Sequence, residues 1–202
     1  MSGWPDVVVL ATRNAKKQGE LQRILAAHSI GTEVRTLADY PSYSDEVVES
    51  EPDFEGNALL KARSLHRALG VAAIADDSGL CVDALNGMPG VLSARWAGRH
   101  GDDEANLELV LDQLRDVPTA SRAAAFVAVV AYVGVDGSEL VARGEMSGRI
   151  IDAPRGDGGF GYDPIFMADG QDRTNAELTP NEKDALSHRG KALGHLIAML
   201  AG

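Results

Sequence analysis

The chain opens on an unbroken apolar run, Val7-Val8-Val9-Leu10-Ala11, and Leu21, Ile24 and Leu25 then recur at helical spacing. A short continuous run suits a strand buried on both faces, and the i, i+3, i+4 recurrence suits an amphipathic helix, so strand, turn and helix come first. From Thr36 to Pro52 the sequence turns polar and acidic, with Pro41, Ser42, Ser44, Asp45, Glu46, Glu49 and Glu51 and no period, which predicts an exposed loop. Phe54, Ala58, Ala62, Leu65 and Leu69 predict a second helix, capped by Asp53 and stopped by Gly70. Its Lys61 has a surface position as its default; the alternative is that it faces the carboxylates that follow.

The next apolar run, Gly70-Val71-Ala72-Ala73-Ile74, predicts another buried strand, ending where Asp76-Asp77 leads into a Ser78-Gly79 turn. A third helix is predicted from Asp102 or Asp103 to Arg115, with Leu107, Val110, Leu111 and Leu114 on one face. Beyond it the period changes to that of strands. Phe126 to Val133 and Glu139 to Arg143 flank Gly134-Val135-Asp136-Gly137, a hairpin signal built on Asp-Gly. Near the end, Thr179-Pro180-Asn181-Glu182 is a capping box with proline at the first helical position. Ser187 then caps a longer helix carrying Ala192, Leu193, Leu196, Ile197 and Leu200. Strands alternating with helices early and pairing through a hairpin later predict a three-layer α/β fold with a mixed central sheet, taken as a single domain over residues 1–202.

Composition narrows the function. A net charge of -11 argues against a nucleic-acid polymer as partner, since such binding rests on neutralising many phosphates. The single cysteine, Cys81, excludes an internal disulfide framework and fits a reducing compartment. The longest apolar stretch, Ala123 to Val135, is too short to cross a bilayer, so no membrane partner is expected and the location is expected to be cytoplasmic.

Two local patterns carry candidate chemistry. Asp76 and Asp77 repel one another unless a cation neutralises them, and hard carboxylate oxygens suit Mg2+; a solvated Asp-Asp-Ser-Gly turn is the alternative. In Thr12-Arg13-Asn14-Ala15-Lys16-Lys17, hydroxyl, amide and ammonium groups gather where a helix begins with free N–H groups, which suits an anion; an ordinary N-cap with solvated lysines is the alternative. Gly156-Asp157-Gly158-Gly159-Phe160-Gly161 matches G-x-G-x-x-G formally, but no strand precedes it and Tyr162-Asp163-Pro164 opposes a helix after it. A dinucleotide site is therefore rejected in favour of a glycine loop that brings backbone amides and the Phe160 ring to a ligand. Lys183, His188 and Arg189 fall in the first turns of two successive helices, where cations are disfavoured, and so point to an anionic or hydrogen-bond-accepting partner; a solvated position is the alternative for any one of them.

Six ordered segments together resemble the inosine triphosphate pyrophosphatase family: Thr12 to Lys17, Ala75 to Leu80, Pro89 to Arg95, Gly159 to Pro164, Ala176 to Leu178 and Ser187 to Ala192. The resemblance runs from Val7 to about Leu200. It implies hydrolysis of non-canonical purine nucleoside triphosphates (ITP, dITP, XTP) to monophosphate and pyrophosphate, Mg2+ dependence, a homodimer, and an elongated fold with a cleft between two lobes. It also implies roles. Asp77 matches the proton acceptor and a metal ligand, and Glu49, with Asp76, completes the acidic metal set. Thr12, Arg13, Asn14, Ala15, Lys16, Lys17 and Ser78 match the phosphate-binding positions. Phe160, Gly161, Tyr162, Asp163, Lys183, His188 and Arg189 match the nucleoside and base pocket. One segment departs from the family pattern: Glu51, Asp53 and Gly56 stand where Gly, Thr and Glu are typical, so the role of the last position is lost or moved to Glu55.

Overall fold

A computed structural model of the chain describes residues 4–13, 15–43 and 47–201, without the side chains of Ala15 and Lys16. The expected phosphate contact Asn14 and the acidic loop positions Ser44, Asp45 and Glu46 lie outside the described residues, as do the side-chain roles expected of Ala15 and Lys16. The strands are β1 (Val7–Leu10), β2 (Glu33–Thr36), β3 (Ala73–Val82), β4 (Ala123–Val133), β5 (Glu139–Ile150) and β6 (Phe166–Ala168). The helices are α1 (Ala15–Ala27), α2 (Phe54–Leu69), α3 (Asp103–Gln113), α4 (Pro180–Leu186) and α5 (His188–Ala201). One sheet holds all six strands in the order β2-β1-β3-β4-β5-β6. β1 runs parallel to β2 and β3, whereas β5 and β6 are antiparallel, so the sheet is mixed as expected.

The chain divides into two compact units. The first comprises Met1–Asp77, Ala128–Gly144 and Arg189–Gly202; the second comprises Ser78–Val127 and Glu145–His188. In the first unit, alternation along the strands sorts side chains onto two faces. Val8, Leu10 and Ile74 pack with Leu21 and Leu25 of α1 and with Ala192, Leu193, Leu196 and Ile197 of α5. Val9 and Ala73 point the other way, onto Leu65 of α2 and Tyr43. This unit therefore has helices on both sides of its strands. Leu21, Leu25, Leu65 and Leu196 are fully buried, each contributing about 1.5–3 kcal/mol from removal of apolar surface from water. In the second unit, Leu107 and Val110 of α3 and Leu114 at its C-terminal cap pack with Leu80, Val82, Met146, Ile150, Ile165 and Phe166.

Helix ends follow their sequence signals. Asp53 accepts a hydrogen bond from the Gly56 amide at the start of α2, and Gly70 closes that helix in the left-handed conformation at φ 66°. Asp102 caps α3 through the Ala105 amide, and the Thr179–Glu182 capping box opens α4. The hairpin turn is held by Gly134 N–H to Ser138 O and by Gly137 N–H to Gly134 O.

Two expectations are corrected. β3 does not end at the carboxylates: it continues for ten residues through Asp76, Asp77, Ser78 and Gly79 to Val82. The glycine adopts extended backbone there, and the charges are tolerated because each has its own cation. The segment from Thr36 to Pro52 is not uniformly exposed either. Thr36 ends β2 and, with Asp39, caps a 3-10 turn at Leu37–Asp39, and Tyr43 is buried against α2 with its hydroxyl 3.3 Å from Ser64 Oγ.

Candidate active site

The two adjacent aspartates are separated by the pleat of β3. Asp76 shares a face with Ile74 and so looks toward α1 and α5; Asp77 shares a face with Ala73 and Ala75 and looks toward α2. Their mutual repulsion is thereby relieved without a shared ion.

On the α1 and α5 side, Lys17 Nζ donates to both Asp76 oxygens at 2.9 and 2.8 Å. Arg189 Nε donates to Asp76 Oδ2 at 3.1 Å, and its Nη1 reaches Glu20 Oε2 at 3.1 Å. Lys17 and Glu20 are three residues apart on α1 and so share a face. Burial alone would push the Asp76 carboxyl up, but Lys17 and Arg189 together reverse this and hold it well below the usual carboxylate range. Burial tends to lower Arg189, while Asp76 and Glu20 raise it above its ordinary value. Two cations and two anions make this group neutral. Leu10, Leu21, Ile74, Val130 and Leu193 line a small apolar hollow around it.

On the α2 side, Lys61 Nζ bridges Glu49 Oε1 at 2.9 Å and Asp77 Oδ1 at 3.1 Å. Lys61 is thus the inward-facing cation rather than a surface lysine. Burial pushes the Asp77 carboxyl up; Lys61 opposes this and Glu49 adds to it, leaving the group above its ordinary value. Asp77 Oδ2 is buried without a hydrogen bond of ordinary geometry, and the Asn57 side chain faces the carboxyl closely enough to oppose its rise. Two carboxylates and one ammonium leave this group one negative charge in excess.

A second constellation lies within the second unit around Asp163, which is 2% exposed. Its Oδ2 accepts from Lys183 Nζ and from the Phe160 amide, the latter at 2.8 Å, and its Oδ1 accepts from Asn175 Nδ2 at 3.3 Å. Lys183 Nζ also lies 4.8 Å from the centroid of the Phe160 ring, which is largely exposed.

A profile of the Ham1 family matches residues 8–199 of this chain. The chain belongs to the Ham1 family. A dITP/XTP pyrophosphatase of Nocardia farcinica is 57% identical over 96% of this chain and 94% of its own length. One from Streptomyces coelicolor is 51% identical, with 96% of each chain covered. Among solved structures, a nucleoside-triphosphatase / dITP/XTP pyrophosphatase from Mycobacterium abscessus is 54% identical with a TM-score of 0.80, over 94% of this chain and 98% of that one. The Staphylococcus aureus Ham1 protein reaches a TM-score of 0.87 at 40% identity, over 96% and 97% of the two chains. The resemblance drawn from six motifs is borne out, and so is the α/β fold.

Within this Ham1 chain, the expected site residues fall into distinct places. Thr12 lies in the turn after β1, where its N–H donates to Leu10 O at 2.7 Å and its carbonyl accepts from Leu37 N–H at 3.1 Å. Arg13 is exposed and donates to the Tyr43 carbonyl at 3.2 Å. Ser78 follows Asp77 along β3, half-buried. The three carboxylates expected to share one metal are not brought together: among the described residues no group of three His, Cys, Asp or Glu converges on a metal position. Asp77 and Glu49 converge through Lys61, while Asp76 serves Lys17 and Arg189 on the opposite face. Arg189 groups with the phosphate-turn lysine rather than with Lys183. Two of the three cations expected to seek an external partner have protein carboxylates, Asp163 for Lys183 and Asp76 and Glu20 for Arg189. His188 stacks on Phe126, with ring centroids 5.2 Å apart and an interplanar angle of 16°.

The glycine loop also has an internal explanation. Its amides are occupied: Gly158 N–H donates to Ala176 O, Phe160 N–H to Asp163, and Gly161 N–H to Asp103 Oδ2. A Cβ at Gly156 or Gly158 would fall 2.7 Å from the backbone of Ala176, and one at Gly159 would fall 2.2 Å from Asp163 Oδ2. These glycines thus allow close approach of protein to protein, which the motif alone does not distinguish from approach to a ligand. Tyr162 is buried, and its hydroxyl donates to the Ser93 carbonyl at 2.8 Å, so it ties the loop down rather than offering a free polar group. Reading the sequence missed Glu20, Asn57 and Asn175. For Glu20 a signal existed, because it lies one helical turn after Lys17.

Proposed function

We propose that this protein hydrolyses dITP, ITP or XTP to the nucleoside monophosphate and pyrophosphate, a reading supported by its likeness to dITP/XTP pyrophosphatases. The observation that carries the chemistry is the buried Asp77 beside Glu49, raised by burial above its ordinary value and held on Oδ1 by Lys61. A carboxylate so placed is a better proton acceptor than an exposed one. Water attacks the α-phosphorus, the bond from the α-phosphorus to the bridging oxygen breaks, pyrophosphate departs, and the water proton passes to Asp77. Lys17, on the helix that follows the Thr12 turn, neutralises phosphate charge, which an acidic chain needs to accept a triphosphate.

The donor set fits Mg2+. Two carboxylates with one excess negative charge, one of them with a buried oxygen that has no hydrogen bond of ordinary geometry, offer the hard oxygens it prefers, and it commonly completes its shell with water and substrate phosphates. When bound there by Asp77 and Glu49, it supplies charge neutralisation on the phosphates and acidifies water. Base recognition is assigned to Lys183, Phe160 and His188, with Asp163 orienting the first two. A protein with this activity would work on the nucleotide pool of the cytoplasm. It also makes the chain a homodimer, which a sedimentation mass near the 21.3 kDa of one chain would overturn. Among the described residues, no helix is long and apolar enough to cross a membrane.

The test is product analysis by ion chromatography after incubation with ITP or XTP and Mg2+ in 18O-labelled water. Inosine or xanthosine monophosphate carrying the label, together with unlabelled pyrophosphate, is expected. Nucleoside diphosphate with orthophosphate would refute attack at the α-phosphorus.

A further inference from the structure

Lys61 occupies the position where a metal and a side chain compete for the same two carboxylates. Its ammonium is 2.9 Å from Glu49 Oε1 and 3.1 Å from Asp77 Oδ1, and its side chain is only 15% exposed. It is held between the two carboxylates by charge-assisted hydrogen bonds. A divalent cation bound to the same carboxylates would lie within a few ångströms of this ammonium, in a place where water screens little. Both cations cannot remain there. A lysine suits exchange, because its ammonium is a compact charge on a flexible four-carbon stem that can swing without moving α2.

We propose that Lys61 is the internal competitor of the divalent cation for the Glu49–Asp77 pair. In the ligand-free protein it holds these carboxylates together and weakens metal binding; when a triphosphate is present it turns to the phosphate oxygens and clears the carboxylates. Metal and nucleotide therefore bind with positive coupling, and the coupling is reciprocal. This rests on the pyrophosphatase reading for the identity of the triphosphate and on the fit of Asp77 and Glu49 for the metal.

The experiment is calorimetric titration of Mn2+ into the nucleotide-free full-length chain, for the wild type, Lys61→Met, Lys61→Gln and Asp77→Asn, repeated with an α,β-methylene analogue of ITP. The methionine keeps the apolar stem packed and the glutamine keeps hydrogen-bonding capacity, so either variant, if it melts cooperatively, carries the test. Removing the ammonium should tighten Mn2+ binding without nucleotide by roughly tenfold or more. The analogue should tighten Mn2+ binding to the wild type and do so much less in the Lys61 variants. Unchanged or weaker Mn2+ affinity in a folded Lys61 variant overturns the competition. If Asp77→Asn binds Mn2+ as well as the wild type, the metal assignment itself fails, and this inference falls with it. If the methylene analogue binds none of the four proteins, the triphosphate reading is the part at fault.

Discussion

Asp76 and Asp77 differ by one position and have opposite electrostatic fates. Period-two alternation gives Asp76 two cations from α1 and α5, and gives Asp77 one cation and a second carboxylate from the α2 side. The pair was legible in the sequence as chemistry, and its neighbours were not. Lys17, Lys61 and Arg189 are spread over more than 170 residues of chain, and only the strand's parity says which carboxylate each one meets. For Asp76, whose native carboxyl titrates well below its unfolded value, the stabilisation is present above the ordinary carboxylate pKa and is lost as pH falls toward the native one. Asp76→Asn should therefore cost about 2–3 kcal/mol at neutral pH, since Lys17 loses its counter-charge in a half-buried place. The difference from wild type should shrink steadily as pH is lowered from 5 to 2. Urea unfolding at several pH values reads this directly, and parallel stability curves would show that Asp76 carries no such linkage. Asp77→Asn, by contrast, removes a proton acceptor whose charge is already penalised by burial. It should leave a folded protein with turnover lowered by about two to four orders of magnitude, measured by pyrophosphate release from ITP.

Elements were read most reliably where caps and periodicity agreed. α2, α3, α4 and α5 all begin within a residue or so of the expected positions, because Asp53, Asp102, Thr179 and Ser187 stand where free amides need acceptors or a helix must restart. β2 escaped notice because Glu33-Val34-Arg35-Thr36 offers one fully apolar residue; it is a strand through parallel pairing with β1, a partner that local pattern cannot reveal. The start of α2 shows how a departure from family pattern can be internally compensated. A Cβ on Gly56 would lie 2.6 Å from Glu51 Cβ and 2.8 Å from its Cγ, so the glutamate fills the space that a side chain at position 56 would need. Glu51 is in turn fixed by Asn57, whose Oδ1 accepts from its N–H at 3.1 Å. The two substitutions are thus coupled, and Glu55, which is exposed, has not inherited the position's packing. Gly56→Ala should destabilise the wild-type chain by about 1–2 kcal/mol despite alanine's better helix propensity. In a Glu51→Gly background the same change should become neutral or stabilising, by up to ~1 kcal/mol, since only the propensity gain is left. Thermal unfolding of the four proteins in this cycle decides it, and equal effects in both backgrounds would mean that the two positions are independent.

At the scale of the whole molecule, the residues proposed for phosphate chemistry and those proposed for base recognition belong to different compact units and to different sets of charges. Lys17, Asp76, Asp77, Glu49, Lys61 and Arg189 all belong to the first unit; Phe160, Asp163, Asn175 and Lys183 all belong to the second. The sequence placed Arg189 with Lys183 because both follow helix starts only a few residues apart, and chain proximity cannot show that a unit boundary falls between His188 and Arg189. This division gives the two cations separable effects on substrate choice. Hypoxanthine and xanthine present a 6-carbonyl, whereas adenine presents an amino donor there, and an ammonium can only donate, so Lys183 matches the first and opposes the second. Phosphates are common to all these nucleotides, and a residue that serves them cannot discriminate. Lys183→Met should narrow the ratio of kcat/KM for ITP over ATP by at least roughly tenfold, because an unpaired donor in a recognition pocket is what rejects the wrong base. Arg189→Ala should lower kcat/KM for both nucleotides by a similar factor and leave their ratio near the wild-type value. A ratio that collapses in Arg189→Ala and holds in Lys183→Met would return Arg189 to the base pocket and overturn the assignment by unit.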